Sequence, residues 1–146
     1  SQAVVCLEAL MRWEHPEKGM VSPAMFIPVA EETDLINPLG EWALREACAA
    51  AVKWPDTVRV AVNVSANQFV NPGFPEVVAN ALAATGLAPD RLELELTESV
   101  FVGDTDATER TFNVLKGLGV RLALDDFGTG YSSLSYLRSA PFDKIK

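Results

Sequence analysis

Asp125 and Asp126 stand side by side after the apolar run Val120 to Leu124, and Phe127-Gly128-Thr129-Gly130-Tyr131 follows them. Adjacent carboxylates repel one another, and burying them is costly unless a cation compensates. A strand ending in paired acids and a glycine loop therefore suits a divalent metal. Taken alone, the same residues suit a solvated acidic turn better, since Asp and Gly are ordinary turn formers. Recurrence separates the two readings. Glu8 follows Ala3-Val4-Val5-Cys6-Leu7, Asn63 follows the run Val58 to Val62, and Glu95 lies within Leu92-Glu93-Leu94-Glu95-Leu96. A polar residue of metal-ligand type thus sits at or near the end of one apolar segment after another.

Those segments must be held so that their ends meet. From Asn63 to Glu95 is 95 − 63 = 32 residues, and from Glu95 to Asp125 is 125 − 95 = 30, both matching a strand-helix-strand unit of roughly 30 residues. In a parallel α/β barrel all strand C-termini open on one face, so donors spaced by such units converge there. The pattern predicts a first strand over Val4 to Leu10, running on through Met11-Arg12-Trp13 into a turn at His15 to Gly19. A helix follows from Pro23 to Thr33, capped by Ser22 and broken or bent at Pro28. The longest helix spans Pro38 to Trp54, with Leu39, Trp42, Ala43, Cys48 and Val52 as its apolar stripe and Trp42 in the core. Next come a strand over Val58 to Val64, a helical turn over Ser65 to Phe69, a helix from Pro75 to Thr85 stopped by Gly86, and a strand over Leu92 to Leu96. The alternation of Leu and Glu in that strand leaves Glu93 facing solvent and Glu95 facing a site as one option. Asp104 to Lys116 reads as a helix, capped by Asp104 or Thr105 and stopped by Gly117 or Gly119, and Leu122 to Leu124 leads into the aspartates. Leu134 to Arg138 forms a helical turn, and Phe142 to Lys146 alternates as a strand.

Five strands alternating with helices give an α/β fold, a partial TIM-type barrel of about five parallel strands, since a closed eight-stranded barrel takes roughly 250 residues. The chain has 146 residues, starts and stops inside strands by this reading, and shows no repeat or linker dividing it into domains. Its 49% hydrophobic content supports one folded core, and its net charge of −8 argues against binding DNA or RNA polymers, which need a basic face. No apolar run reaches the ~18 residues of a membrane span. Cys6 and Cys48 read as reduced structural thiols with no Cys-x-x-Cys partner, and the single histidine, His15, sits in a turn, so a zinc centre is not expected.

At these residues the sequence resembles the EAL domain family, cyclic-di-GMP phosphodiesterases named for the triplet present here as Glu8-Ala9-Leu10. The resemblance extends through Met11-Arg12-Trp13, Phe26-Ile27-Pro28-Val29-Ala30-Glu31-Glu32, Asn63-Val64-Ser65, Glu95-Leu96-Thr97-Glu98-Ser99, Asp125 to Leu134 and Asp143-Lys144-Ile145-Lys146. It implies that Glu8, Asn63, Glu95 and Asp125 are ligands of one divalent metal, with Asp125 bridging to a second that Asp126 also helps hold. All are hard oxygen donors suited to Mg²⁺ or Mn²⁺. It further implies that Arg12 contacts a substrate phosphate, that Leu10, Asn63 and Asp126 face the substrate, that Lys146 orients the attacking water and that Glu98 anchors the glycine loop. Gly128-Thr129-Gly130 lacks the third glycine and helix start of a dinucleotide loop, and the resemblance implies instead a mobile loop that couples metal binding to dimer contacts. The implied reaction is hydrolysis of cyclic-di-GMP to linear pGpG by a cytoplasmic homodimer. Fusion to sensory or GGDEF-type domains is implied too, and a membrane-tethered parent is compatible.

The chain departs from the family pattern at both ends. It lacks the first family strand with its substrate-contacting glutamine, and the last two strands, the first of which carries a glutamate assigned in the family as general base or second-metal ligand. The expectation is a competent parent and negligible turnover by this span alone, the alternative being a non-catalytic cyclic-di-GMP receptor or signalling interaction module.

Overall fold

The computed structural model describes residues 5–17, 19–101, 105–125 and 144–145, and for Val5, Trp13, Ala24, Glu98, Phe101, Thr105, Asp125, Lys144 and Ile145 only the backbone. Five strands form one parallel sheet: β1 (Val5–Ala9), β4 (Val58–Asn63), β5 (Leu92–Thr97), β6 (Arg121–Asp125) and β7 (Lys144–Ile145), in that spatial order. β2 (Trp13–His15) and β3 (Gly19–Val21) make a separate antiparallel hairpin. The helices are α1 (Pro23–Glu32), α2 (Ile36–Ala51), α3 (Ala66–Val70), α4 (Phe74–Thr85) and α5 (Thr105–Leu118). The architecture is α/β, with parallel strands and intervening helices, and no closed barrel forms among the described residues.

Alternation along the strands gives the sheet two unlike faces. Val60, Val62, Leu92, Leu94, Leu96, Leu122 and Leu124 belong to one buried cluster with Leu44 and Cys48 of α2, Val78 of α4, and Phe112 and Leu115 of α5. Each such side chain contributes about 1.5–3 kcal/mol relative to its exposed state. The ring of Phe69 on α3 sits 4.9 Å from that of Phe112, which ties α3 to α5. The opposite face of the same strands is polar, and there Glu93 and Glu95 are only 1% and 2% exposed. Glu93 therefore does not face solvent. It pairs in register with Arg121, and the Cys6 thiol donates to its Oε2 at 3.7 Å.

One buried cation holds the strand entrances. Arg91, 8% exposed, donates to the carbonyls of Ala51 (2.7 Å), Val58 (3.1 Å), Pro55 (3.1 Å) and Trp54 (3.2 Å). Its ion pair with the exposed Asp56, at 3.9 Å, is weak by comparison in water. The guanidinium thus closes the turn from α2 into β4, leaving few orphan carbonyls there.

Several sequence expectations need correction. The segment after β1 does not continue as one strand but folds into the β2–β3 hairpin, whose three-residue strands are too short to show a period. Pro28 does not break α1; the helix runs through it, with Ser22 O accepting from the amides of Met25 and Phe26 at one end and Thr33 Oγ1 bonding Val29 O at the other. The buried face of α2 is Ile36, Gly40, Leu44, Ala47, Cys48 and Ala51, which turns Trp42 about 200° away from Gly40, and the indole is 54% exposed rather than core. α5 runs to Leu118, two residues beyond Lys116, and of the two glycines expected to stop it Gly119 is the one that does, its φ of +96° suiting a residue without Cβ. Cys48 is fully buried and free, and burial pushes its thiol from 9.0 to about 11. Among the described residues no helix is long and apolar enough to cross a membrane. The expected helical turn over Leu134 to Arg138 lies outside the described residues.

Candidate functional site

The register of the parallel sheet fixes where the predicted donors stand. Asn63, the last residue of β4, pairs directly with Glu95 of β5. Glu8 pairs with Ala61, two residues before Asn63, and Glu95 pairs with Ala123, two residues before Asp125. Across the three strand steps from β1 to β6 the donors therefore climb 2 + 0 + 2 = 4 residues relative to the hydrogen-bond register. Strands in an eight-stranded barrel tilt by ~36°, with a total shear of about 8 residues, so positions at one height drift by about one residue per step. Three steps call for about three residues by that rule. The stagger is thus what brings Glu8, Asn63, Glu95 and Asp125 toward one level at the C-terminal rim, and the even spacing keeps all four on the polar face.

Leu10, Arg12, Trp42, Asn63, Glu95 and Thr97 line one cavity of about 530 Å³ at this rim. Its wall is mixed: Leu10 and Trp42 present exposed apolar surface, Glu95 a buried carboxylate and Arg12 a cation. The guanidinium of Arg12 is exposed and donates from Nη1 to its neighbour Met11 O at 2.9 Å, a local bond that an incoming anion could displace. Glu8 is exposed on the edge strand β1 and does not line the cavity.

Beyond β4 the chain is pinned. The amide of Val64 donates to Glu95 O at 2.9 Å, carrying the ladder one residue past the strand end. Ser65 then caps α3: its Oγ accepts from the Gln68 amide at 3.2 Å, while Gln68 Oε1 accepts from the Ser65 amide at 3.0 Å. This reciprocal arrangement satisfies two amides that a helix start leaves without partners.

A family profile, the EAL domain, matches residues 1–146. The chain belongs to the EAL domain family. It is 59% identical over 143 residues to the uncharacterized protein y4lL of Sinorhizobium fredii, covering 98% of this chain and 17% of that protein. It is 45% identical over 147 residues to MucR of Pseudomonas aeruginosa, named a bifunctional diguanylate cyclase/cyclic di-GMP phosphodiesterase, covering 98% of this chain and 22% of that protein. The chain spans about a fifth of these relatives. Among solved structures, the PaMucR phosphodiesterase in complex with c-di-GMP superposes with a TM-score of 0.90 at 43% identity, over 97% of this chain and 59% of that one.

Within this EAL domain the structure brings Leu10, Arg12, Asn63 and Glu95 together, and it places Glu8 and the Asp125 backbone on the same sheet face. Glu98 opens the 3-10 turn Glu98–Phe101 that follows β5. Asp126 and Lys146 lie outside the described residues, as does the glycine loop. Among the described residues no group of three or more His, Cys, Asp or Glu is poised to hold a metal ion. The described side chains of the predicted set supply two carboxylates and one amide. Their chemistry nevertheless fits Mg²⁺ or Mn²⁺: they are hard oxygen donors, and the nearly buried Glu95 stands beside Asn63. Reading the sequence for ligands missed Thr97, Trp42 and Gln68 as cavity residues. For Gln68 a signal was present, because Ser65-Ala66-Asn67-Gln68 has the spacing of a capping box.

Proposed function

We propose that the complete EAL domain, to which this chain contributes its central strands, hydrolyses cyclic-di-GMP to linear pGpG. Glu8, Asn63, Glu95, Asp125 and Asp126 would hold two divalent cations, Mg²⁺ or Mn²⁺. When bound, such a pair supplies an activated water and positive charge opposite the leaving oxygen. Arg12 binds a phosphate through its fork of donors, and Leu10 and Trp42 give apolar surface for the nucleotide. Lys146 orients the attacking water, and Glu98 anchors the loop after the aspartates. The observation that carries this reading is the direct pairing of Asn63 with Glu95, flanked by the stagger that aligns Glu8 and Asp125. Likeness to MucR, and to its structure with c-di-GMP, supports the substrate. The domain acts as a cytoplasmic homodimer fused to sensory or GGDEF-type partners.

The test is conversion of cyclic-di-GMP by the complete domain with Mg²⁺ or Mn²⁺, the products being separated by chromatography. The wild type should yield pGpG, and Asp125→Ala should slow it by at least about 100-fold, more than loss of an outer-shell partner costs. Equal rates in both would remove the metal assignment, and wild-type binding without product would favour a receptor. The 146-residue span alone should turn over negligibly, because its described sheet has five strands where closure takes eight. Robust conversion by that span would sink this last point.

A further inference from the structure

We infer that Gln68 is a positioning residue for Asn63, acting through the two-residue segment, Val64 and Ser65, that joins β4 to α3. The inference rests on the ligand role proposed above for Asn63. A terminal strand residue is held only from one side by its ladder, and a ligand there needs a second fixed point. The structure supplies it in two steps, the Val64 amide on Glu95 O at 2.9 Å and the Ser65 amide on Gln68 Oε1 at 3.0 Å. The donor of the second bond lies two residues beyond Asn63. Gln68 is itself 7% exposed, which is deep for a side chain that could extend into water.

What holds Gln68 in place is α2. A Cβ built on Gly40 would lie 1.8 Å from Gln68 Nε2, so the glycine is the space that the amide occupies. Ile36 and Leu44, one turn to either side of Gly40, are each 2% exposed, so α2 is seated and cannot swing away to make room. The line of contacts therefore runs from the α2 backbone through the Gln68 amide to the Ser65 amide and so to Asn63. Gln68 and Gly40 also border the same cavity as Asn63 and Glu95, which places the brace directly behind the donors.

The discriminating pair of variants in the complete domain is Gln68→Met, which keeps the volume and loses the acceptor, and Gln68→Glu, which keeps the acceptor. Gly40→Ala serves as an independent perturbation from the α2 side. Mn²⁺ affinity is measured by titration calorimetry, and thermal unfolding is followed without metal. Gln68→Met and Gly40→Ala should each weaken Mn²⁺ binding by about 10–100-fold, the range typical of residues that orient a ligand, while Gln68→Glu stays within about threefold of wild type. If Gln68→Met unfolds at lower temperature yet binds Mn²⁺ as the wild type does, Gln68 is a helix cap only and the inference fails. Equal losses in Gln68→Met and Gln68→Glu would also overturn it, since the acceptor would then not matter. A wild-type domain that binds no Mn²⁺ would instead bring down the ligand reading on which it stands.

Discussion

The two faces of β5 carry different kinds of information. On one, Leu92, Leu94 and Leu96 pack against the helices and are fully buried; on the other, Glu93 and Glu95 are buried almost as deeply, at 1% and 2%. Burial of leucine is favourable by itself, whereas burial of a carboxylate is favourable only when charges or donors meet it. The apolar face thus makes the fold stable, and the polar face of the same strand carries buried carboxylates at a cost. A strand with leucines on both faces would fold at least as readily, and the burial of Glu95 is what the site proposed above would account for.

Breaking the apolar face should give the largest effect. Leu94→Ala is expected to destabilise the complete domain by about 2–5 kcal/mol, read as a lowered denaturant midpoint. A change below about 1 kcal/mol would mean that the leucine face is not the stabilising one. Next in size is Arg91→Ala, which strips a donor from four carbonyls and should cost roughly 3 kcal/mol, with Arg91→Lys recovering only part because an ammonium lacks the fork. On the polar face, Glu95→Gln should slow hydrolysis by about 100-fold or more, or about 2.7 kcal/mol of barrier, with a smaller change in the unfolding midpoint than Leu94→Ala gives. The reverse ranking, with stability lost and activity kept, would merge the two faces into one role.

Smaller effects sharpen the comparison further. Ser65→Ala should cost about 1 kcal/mol through loss of the cap at α3, measurable by chemical denaturation. A further effect is set by pH and is confined to the alkaline range. The Cys48 thiol ionises at 9.0 when unfolded and at about 11 when buried, so the unfolded state releases its proton first. Stability linked to this thiol is fully present below pH 9 and falls as pH rises toward 11, a decline that Cys48→Ala should remove.

Much of the fold was legible because the relevant signals are local. The apolar runs at Val58 to Val62 and Val120 to Leu124 became β4 and β6, and the glycine after Thr85 ended α4 as expected. The helical turn over Ser65 to Phe69 became α3, with Ser65 as its cap rather than its first residue, and the donors fell at or near strand ends. What misled was any reading that depended on which side an element turns. Trp42 fits a helical stripe of apolar residues, but α2 settles on the side that carries Gly40, Leu44 and Ala51, leaving the indole at the cavity. Glu93 looked free to face solvent, and the sheet buried it beside Arg121 instead.

The amino-acid sequence by itself determined the order of strands and helices, the hard-oxygen character of the donor set and the family to which the chain belongs, since each follows from residue type and short-range spacing. Only the tertiary structure decided that Asn63 and Glu95 are neighbours, that the donors are staggered by strand tilt, and that Arg91 and Gln68 brace the segments around them. Those are contacts between residues about 30 or more apart in the chain, or between elements facing one another, and no local periodicity encodes the angle at which two packed elements meet.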